Sequence, residues 1–181
     1  MRVACAVVKN TEKSVRVGDK RTADTGIHTI TQEEGEVVIG AVRPALQFNG
    51  EVNRAKMRVK SVNIANMSAD SYIQIRTYTT LSQVLEAVGA NFVPISDESA
   101  FEYNSNKVSH VAEHSRQRVS FIAGPGSVDH HQEVSDDLDT KVELFLSANG
   151  MTQYAFFVTA KVLKGSTSDI YMSLNWEESK R

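Results

Sequence analysis

Cysteine, long apolar runs and an excess of either charge are all scarce in this chain of 181 residues. Because Cys5 is the one cysteine, no intrachain disulfide can form, and nothing marks an oxidising compartment. The apolar run Val3–Val8 is too short for the core of a signal peptide or for a membrane span. The apolar share of 41% is nevertheless enough to form a core without metals. We therefore expect a soluble protein that is made in a cytoplasm.

The charge balance argues against polyanionic partners. The formal net charge is −2, and the sequence has neither a basic tract nor an acidic tail. Proteins that bind nucleic acid through phosphate contacts usually carry a visible basic excess. The composition therefore predicts no nucleic-acid partner, and the missing apolar span predicts no membrane partner.

Apolar and polar residues alternate with a period of two along much of the chain, which is typical of half-buried β-strands. The clearest case is Ile170–Glu177, and further strands are predicted at residues 36–42, 56–64, 73–77, 119–122, 142–146 and 153–163. The apolar phase changes between Val59 and Val62, which predicts a β-bulge near Lys60 and Ser61. Residues 153–163 are too continuously apolar for a one-sided strand and indicate a central strand buried on both faces.

Turn signals separate these strands. They lie at Gly18-Asp19, Asn49-Gly50, Gly124-Pro125-Gly126 and Asn149-Gly150. The last of them predicts a hairpin between residues 142–147 and 153–163. Leu81–Val88 has helical spacing between Thr80 and Gly89, which predicts one short helix or helical turn.

These patterns predict an all-β fold, an antiparallel β-sandwich of jelly-roll-like form with one short helix or helical turn. Residues 1–35 are expected to form an N-terminal strand and a polar arm, and residues 36–181 the β-sandwich domain. Within this scheme, the polar segment Lys9–Thr25 is the candidate arm. The polar segment Ser127–Thr140 is expected to be a surface loop or a loosely ordered connection.

Candidate metal ligands and nucleophiles are present, but their setting favours a structural role. A dense acidic and histidine cluster comprises Asp129, His130, His131, Asp136, Asp137 and Asp139. Its spacing matches neither an EF-hand loop nor an HExxH motif, so a solvated loop is favoured over a metal site. His110 and His114 would share a helical face, but few apolar residues support a helix there. Cys5 lies in an apolar run, which favours burial over reactivity.

Paired carboxylates and aromatic rows are the remaining candidates. The adjacent acids of Asp97-Glu98 and Glu177-Glu178 would point to opposite faces of a strand, so neither pair can converge on one bond. The aromatic residues Tyr72, Tyr78, Phe92, Phe101, Tyr103 and Trp176 are candidates for a sugar-binding face, although rings at strand spacing are more often core residues. No nucleophile elbow, P-loop or dinucleotide-binding glycine pattern occurs. We therefore predict no catalytic, cofactor-binding or metal-binding residue, and no cofactor.

Three ordered stretches resemble a known group of proteins. The first is Leu46–Ala55, containing FNGEVNR, with the later segment Ser61–Asn66; the second is Phe92–Asn104; the third is the ending Ser168–Glu178. Together they resemble β-sandwich domains of structural proteins from tailed bacteriophages, over about Val37–Glu178. In such domains the corresponding residues are structural, so the resemblance implies no catalytic site.

The resemblance implies a component of the virion. We expect a non-enzymatic capsid decoration or cement protein that binds other virion proteins, such as major capsid, tail or neck proteins, and that forms a homotrimer. The alternative is a receptor- or carbohydrate-binding module of a tail or fibre. A third possibility, a glycan lyase or hydrolase on a sandwich fold, would require a cleft with converging ionisable groups.

Overall fold

A computed structural model describes residues 18–78, 91–109, 116–125, 127–133, 143–146 and 155–179. Most of these residues lie in β-strands. The elements are β1 (Asp19–Thr31), a 3-10 turn (Gln32–Glu34), β2 (Val37–Pro44), β3 (Gln47–Phe48), β4 (Glu51–Val52), β5 (Lys56–Asn66), β6 (Ser71–Tyr78), β7 (Val93–Pro94), β8 (Phe101–Asn104), β9 (Val108–Ser109), β10 (Arg116–Ala123), β11 (Ser127–Glu133), β12 (Glu143–Leu144), β13 (Ala155–Val162) and β14 (Thr167–Ser179). Among them no helix is long and apolar enough to cross a membrane. The predicted helix at Leu81–Val88 lies outside the described residues.

The long strands form two antiparallel sheets that pack face to face. Sheet A has the order β1-β14-β5-β11, with β12 also paired to β5, and sheet B has the order β10-β6-β13-β2-β8-β7, with β9 also paired to β2. The eight principal strands are β1, β2, β5, β6, β10, β11, β13 and β14. If they are numbered one to eight along the chain, sheet A has the order 1-8-3-6 and sheet B contains the order 5-4-7-2. This connectivity is that of a jelly roll. The predicted all-β sandwich is confirmed.

The core lies between the sheets and follows the predicted alternation. On β14, Ile170, Met172, Leu174 and Trp176 are all buried. The predicted bulge in β5 is confirmed, because Asn175 pairs with Ser61 whereas Trp176 pairs with Val59, which leaves Lys60 as the extra residue. The central position of β13 is also confirmed: Phe156 and Val158 lie in the main core, and Phe157 belongs to a smaller cluster on the other side of sheet B.

The Asn49-Gly50 turn is confirmed as a two-residue hairpin between β3 and β4. Both residues have positive φ, 54° and 80°, as a type I′ turn requires, and Gln47 pairs with Val52 across it. This hairpin lies at the end of the sandwich that also holds the longer connections, here called the long-loop end. At the opposite, short-loop end, the short connections that begin at residues 32, 67, 124 and 163 carry the chain from one sheet to the other.

The predicted hairpin around Asn149-Gly150 is wrong. β12 pairs with β5 in sheet A, where Glu143 lies opposite Arg58. Both edges of β13 are occupied in sheet B, by β2 and by β6. A turn signal specifies only how the chain bends locally, and here the partners on each side are chosen by the packing of the two sheets.

Two polar segments were also misjudged, because strand pairing uses the backbone and does not require an apolar sequence at a sheet edge. Ser127–Glu133, predicted as a loop, forms β11 and pairs with β5. Asp19–Thr25, predicted as part of an arm, belongs to β1 and pairs with β14. Residues 9–17 and 134–140 lie outside the described residues.

Gly40 on β2 allows the two sheets to approach closely, and we predict that Gly40→Ala is destabilising. An added Cβ would lie 2.5 Å from Cε of Met172 and 2.8 Å from Cγ2 of Thr25. Overpacking should lower the free energy of unfolding by about 1–2 kcal/mol, measured by urea denaturation. Gly124→Ala is the control, since its added Cβ has only Oδ1 of Asp70 nearby, at 3.9 Å. Equal effects of the two substitutions would contradict this account of Gly40.

Candidate functional site

The three stretches that carry the resemblance meet at the long-loop end of the sandwich. The first contributes Asn53, the second Ser99 and Ala100, and the third Trp176 and Glu178. All five residues are buried, and they are joined by hydrogen bonds into one cluster, here called the motif node. Residues that lie far apart in sequence thus form one local structure.

Asn53 joins the first stretch to the second. Its Nδ2 donates to the carbonyl oxygens of Ala100 and Ala45, at 2.6 and 2.9 Å. Its Oδ1 accepts from the backbone N–H of Ala55 at 2.9 Å. The side chain therefore satisfies three buried backbone groups where the chain leaves β2 and enters β5, which is the reason for an amide at this position.

Glu178 joins the third stretch to the second. Its Oε1 accepts from Oγ of Ser99 at 2.6 Å and from the indole Nε1 of Trp176 at 3.0 Å. Its Oε2 accepts from the backbone N–H of Ala100 at 3.3 Å. A buried carboxylate needs such donors, because its transfer from water is otherwise costly.

The inward direction of Glu178 follows from the period of β14. Positions 170, 172, 174 and 176 face the core, so position 178 does too, while Glu177 faces outward and pairs with Nζ of Lys60 at 3.0 Å. The prediction that the two glutamates diverge is confirmed. Sequence reasoning considered them only as a pair and missed the role of Glu178, although the alternation was sufficient to find it.

Chemically, the motif node stabilises the fold. A serine hydroxyl bonded to a carboxylate resembles an activated nucleophile, but Ser99 and Glu178 are closed off from solvent, with exposures of 6% and 1%. The N–H of Ala100, which would be an oxyanion donor in such a site, is already bonded to Glu178. The geometry thus fixes the loop before β8 against β14.

A second buried polar cluster closes the short-loop end. Nδ2 of Asn66 donates to the carbonyl oxygen of Ala123 at 2.7 Å and also to that of Ala69, and Oδ1 of Asn66 accepts from the hydroxyl of Ser168. These bonds link β5 and β14 of sheet A to β10 of sheet B. Asn66 ends the first stretch and Ser168 begins the third, so the resemblance residues join the sheets at both ends.

The other candidate acids and histidines that the structure describes do not form one site. Asp97 and Glu98 are exposed in a turn, and Glu98 pairs with Arg21 at 3.5 Å. Asp129, His130 and His131 lie on β11, where the histidines pair with Ile64 and Asn63 of β5. Within the part of the chain that the structure describes, no group of three or more potential metal ligands occurs. The remaining candidates lie outside that part: Cys5, His110, His114, Asp136, Asp137 and Asp139.

Three of the six candidate aromatic residues belong to the core. Phe101, Tyr103 and Trp176 are buried, so they do not form a sugar-binding face. Burial raises the pKa of the Tyr103 hydroxyl well above its usual value. Phe92 is half-buried beneath the guanidinium of Arg43, 4.0 Å from its ring centre. Tyr72 is partly exposed, and the side chain of Tyr78 is outside the description.

The outward face of sheet A carries a charged feature that sequence reasoning missed. Four basic residues follow one another at every second position, each separated by a buried apolar residue. We call the set the basic stripe, and it consists of Arg54, Lys56, Arg58 and Lys60, with Lys20 in the same region of β1. These residues do not form a continuous basic run in the sequence, because an apolar residue stands between each pair. The spacing of two was the sequence pattern that could have identified them.

Three comparisons with known proteins gave no match to this chain: a scan against models of protein families, a search of curated proteins and a search of solved structures. The likeness to bacteriophage sandwich domains therefore rests on the three stretches themselves.

We predict that Glu178→Gln destabilises the protein and that Glu177→Gln does not. The new amide at position 178 would direct an NH2 group at donors of the motif node, leaving a buried polar group unsatisfied at a cost of about 1–3 kcal/mol. Glu177 is a matched control, because it is adjacent, identical in chemistry and part of a surface ion pair worth less than about 1 kcal/mol. Urea denaturation of both variants gives the comparison. Similar small losses in both would show that the node does not support the fold as described.

His28 on β1 supplies a pH-dependent prediction. Burial lowers the pKa of His28 below its ordinary value of 6.5, and the charge of Lys107 acts in the same direction. The unfolded chain therefore binds more protons below about pH 6.5 than the folded protein does, so His28 makes the stability fall as the pH drops through this window. We expect His28→Gln to lose less stability than the natural protein between about pH 7 and about pH 5. Parallel stability profiles would contradict this assignment.

Proposed function

We propose that this chain is a non-enzymatic structural protein of a bacteriophage particle, a capsid decoration or cement protein that binds other virion proteins. The observation that carries the proposal is the motif node. The stretches on which the resemblance to phage sandwich domains rests come together as a buried structural cluster, which is the role that the resemblance implies for them.

The architecture is compatible with a particle protein. Jelly rolls occur in viral capsid proteins as well as in lectins and cupins, so the fold alone does not assign a function. What it provides is a sandwich whose ends are closed by buried hydrogen bonds and whose outward faces carry exposed residues. We propose that these faces bind neighbouring virion proteins and that the chain assembles as a homotrimer, with neither nucleic acid nor membrane as a partner.

The absence of catalysis is part of the proposal. Among the described residues, three glutamates that could serve as catalytic acids or bases make structural contacts instead. Glu178 belongs to the motif node, Glu177 pairs with Lys60, and Glu102 accepts from Nε of Arg43 at 2.8 Å. In each case a carboxylate oxygen is bonded to another side chain of the protein, and the contact favours stability.

The alternative, a receptor- or carbohydrate-binding module of a tail or fibre, has less support, because half of the aromatic residues expected to contact a sugar are buried. Phe101, Tyr103 and Trp176 are in the core, and stacking on sugars requires exposed rings. Tyr72 is the partly exposed member of the set whose side chain is described. A glycan array that gave strong and specific binding, lost in Tyr72→Ala, would favour this alternative.

The experiment for the leading proposal is to purify particles of the phage or prophage that encodes this chain and to identify their proteins by mass spectrometry. We expect the chain in the particles at a structural stoichiometry, with antibody labelling on the heads. Labelling confined to tail tips would favour the alternative, and absence from particles despite expression in the cell would overturn the proposal. Light scattering of the purified protein should give the mass of a trimer.

A further inference from the structure

Two rows of short polar side chains cross the outward face of sheet A. Each row contains one residue of β1, one of β14 and one of β5, which lie opposite one another in the strand register. All of these residues are exposed or partly exposed to solvent. We call the two rows together the polar grid, which consists of Thr22, Asn175 and Ser61 in the first row and of Asp24, Ser173 and Asn63 in the second.

Hydrogen bonds between side chains of neighbouring strands hold the polar grid in place. Oγ1 of Thr22 donates to Oδ1 of Asn175 at 2.7 Å, and Nδ2 of Asn175 donates to Oγ of Ser61 at 3.0 Å. In the second row, Nδ2 of Asn63 donates to Oγ of Ser173 at 3.1 Å. Each serine oxygen accepts from an amide, while its own O–H has no acceptor within the described part of the chain. Because these side chains are already ordered, a ligand that they bind does not have to immobilise them.

Asp24 supplies the carboxylate of the polar grid and lies beside a bulge in β1. The register of β1 with β14 shifts between Asp24 and Ile27. Oδ1 of Asp24 accepts from the backbone N–H of Gly26 at 3.3 Å. Gly26 has a φ of 68°, and a Cβ added to it would have no atom within 4 Å. The bulge therefore orients the carboxylate, and the surface at Gly26 is open.

An apolar row borders the polar grid on the same face. It consists of Ile27, Tyr171 and Ala65, which lie opposite one another on β1, β14 and β5. Ile27 is 61% exposed, and Tyr171 is partly exposed. The ring of a tyrosine offers an apolar surface with a polar end. Hydrogen-bonding groups and an aromatic ring thus lie in adjoining rows of one sheet face.

We infer that the polar grid and the apolar row together form a binding site for a neutral polysaccharide. The hydroxyl groups of a sugar both donate and accept hydrogen bonds, so they match the hydroxyls, amides and carboxylate of the grid. The C–H face of the sugar packs on the ring of Tyr171. Ligand sites commonly combine an apolar surface with a few placed polar groups in this way. The inference does not rest on the proposed function, since a virion protein can bind its neighbours through its other surfaces.

The charge of this face selects against other classes of partner. Among the residues of the grid and the apolar row, Asp24 carries the one charge and none is basic. The face therefore offers no attraction to nucleic acids or acidic polysaccharides. A protein partner would need a larger apolar centre than Ile27, Tyr171 and Ala65 provide, because the centre of a protein interface is mostly apolar. A neutral ligand rich in hydroxyl groups fits both the charge and the hydrogen-bonding groups.

The test measures binding of the full chain by affinity electrophoresis in gels that contain dextran, mannan, galactan or a β-glucan, with polygalacturonate as the acidic comparison. Tyr171→Ala removes the ring, and Asp24→Asn removes the charge while an amide oxygen can still accept from Gly26. The matched controls are Tyr72→Ala on sheet B and Asp97→Asn in an exposed turn. Each control removes the same group from a different part of the surface.

We expect the natural chain to bind at least one neutral polysaccharide, and each site variant to bind it roughly ten-fold more weakly. The controls should bind within about two-fold of the natural chain. No binding of any neutral polysaccharide, equal losses in a site variant and its control, or tighter binding of polygalacturonate would overturn the inference. Urea denaturation shows whether each variant is folded, and the isosteric Asp24→Asn decides the outcome if Tyr171→Ala does not fold.

Two further measurements separate this inference from its competitors. If light scattering shows that Tyr171→Ala abolishes self-association of the natural chain, the face docks on a second copy and the inference fails. If polysaccharide binding is lost in Tyr72→Ala alone, the sugar site lies on sheet B, which overturns the inference and favours the tail or fibre module. If the natural chain is absent from particles, the proposed function fails, while polysaccharide binding still decides the role of the grid.

Discussion

The carboxylate of Glu178 is held inside the protein, and much of the long-loop end is organised around that constraint. Once the pleat of β14 directs this side chain inward, hydrogen-bond donors have to be brought to it. The hydroxyl of Ser99, the N–H of Ala100 and the indole of Trp176 meet that need. The carbonyl oxygen of Ala100 also accepts a hydrogen bond from Nδ2 of Asn53. The constraint therefore extends from the last strand to the chain segment before β5.

This arrangement makes three sequence stretches of ordinary composition depend on one another. Each stretch is weak as a motif, since it combines turn chemistry with strand alternation. Their residues are nevertheless interdependent, because a donor in one stretch is matched to an acceptor in another. A substitution at Asn53 or Ser99 would leave a buried group of a distant stretch without its partner. Such coupling favours retention of the set as a whole.

The sequence predicted the parts of the fold that depend on local periodicity. The burial of β14, the bulge at Lys60 and the turn at Asn49-Gly50 all follow from side-chain pattern or backbone preference over a few residues. The pairing of β12 with β5 and the existence of β11 did not follow, because a strand edge accepts any sequence whose backbone is free to pair. The basic stripe follows a spacing of two in the sequence, but only the register shows that Lys20 lies opposite Glu177 and that Glu177 lies opposite Arg58. The motif node was within reach, since the alternation that buries Trp176 extends to Glu178.

The bulge at Lys60 has a consequence for how β5 tolerates change. Ahead of it, odd-numbered residues such as Met57 face the core; beyond it, even-numbered residues such as Ile64 do so. One extra residue therefore separates two segments that obey opposite parity rules. A substitution in either segment changes one side chain. An insertion or deletion between Val59 and Val62 would instead turn the buried side chains outward and the exposed ones inward along half of β5. In β5, chain length is a stricter requirement than side-chain identity.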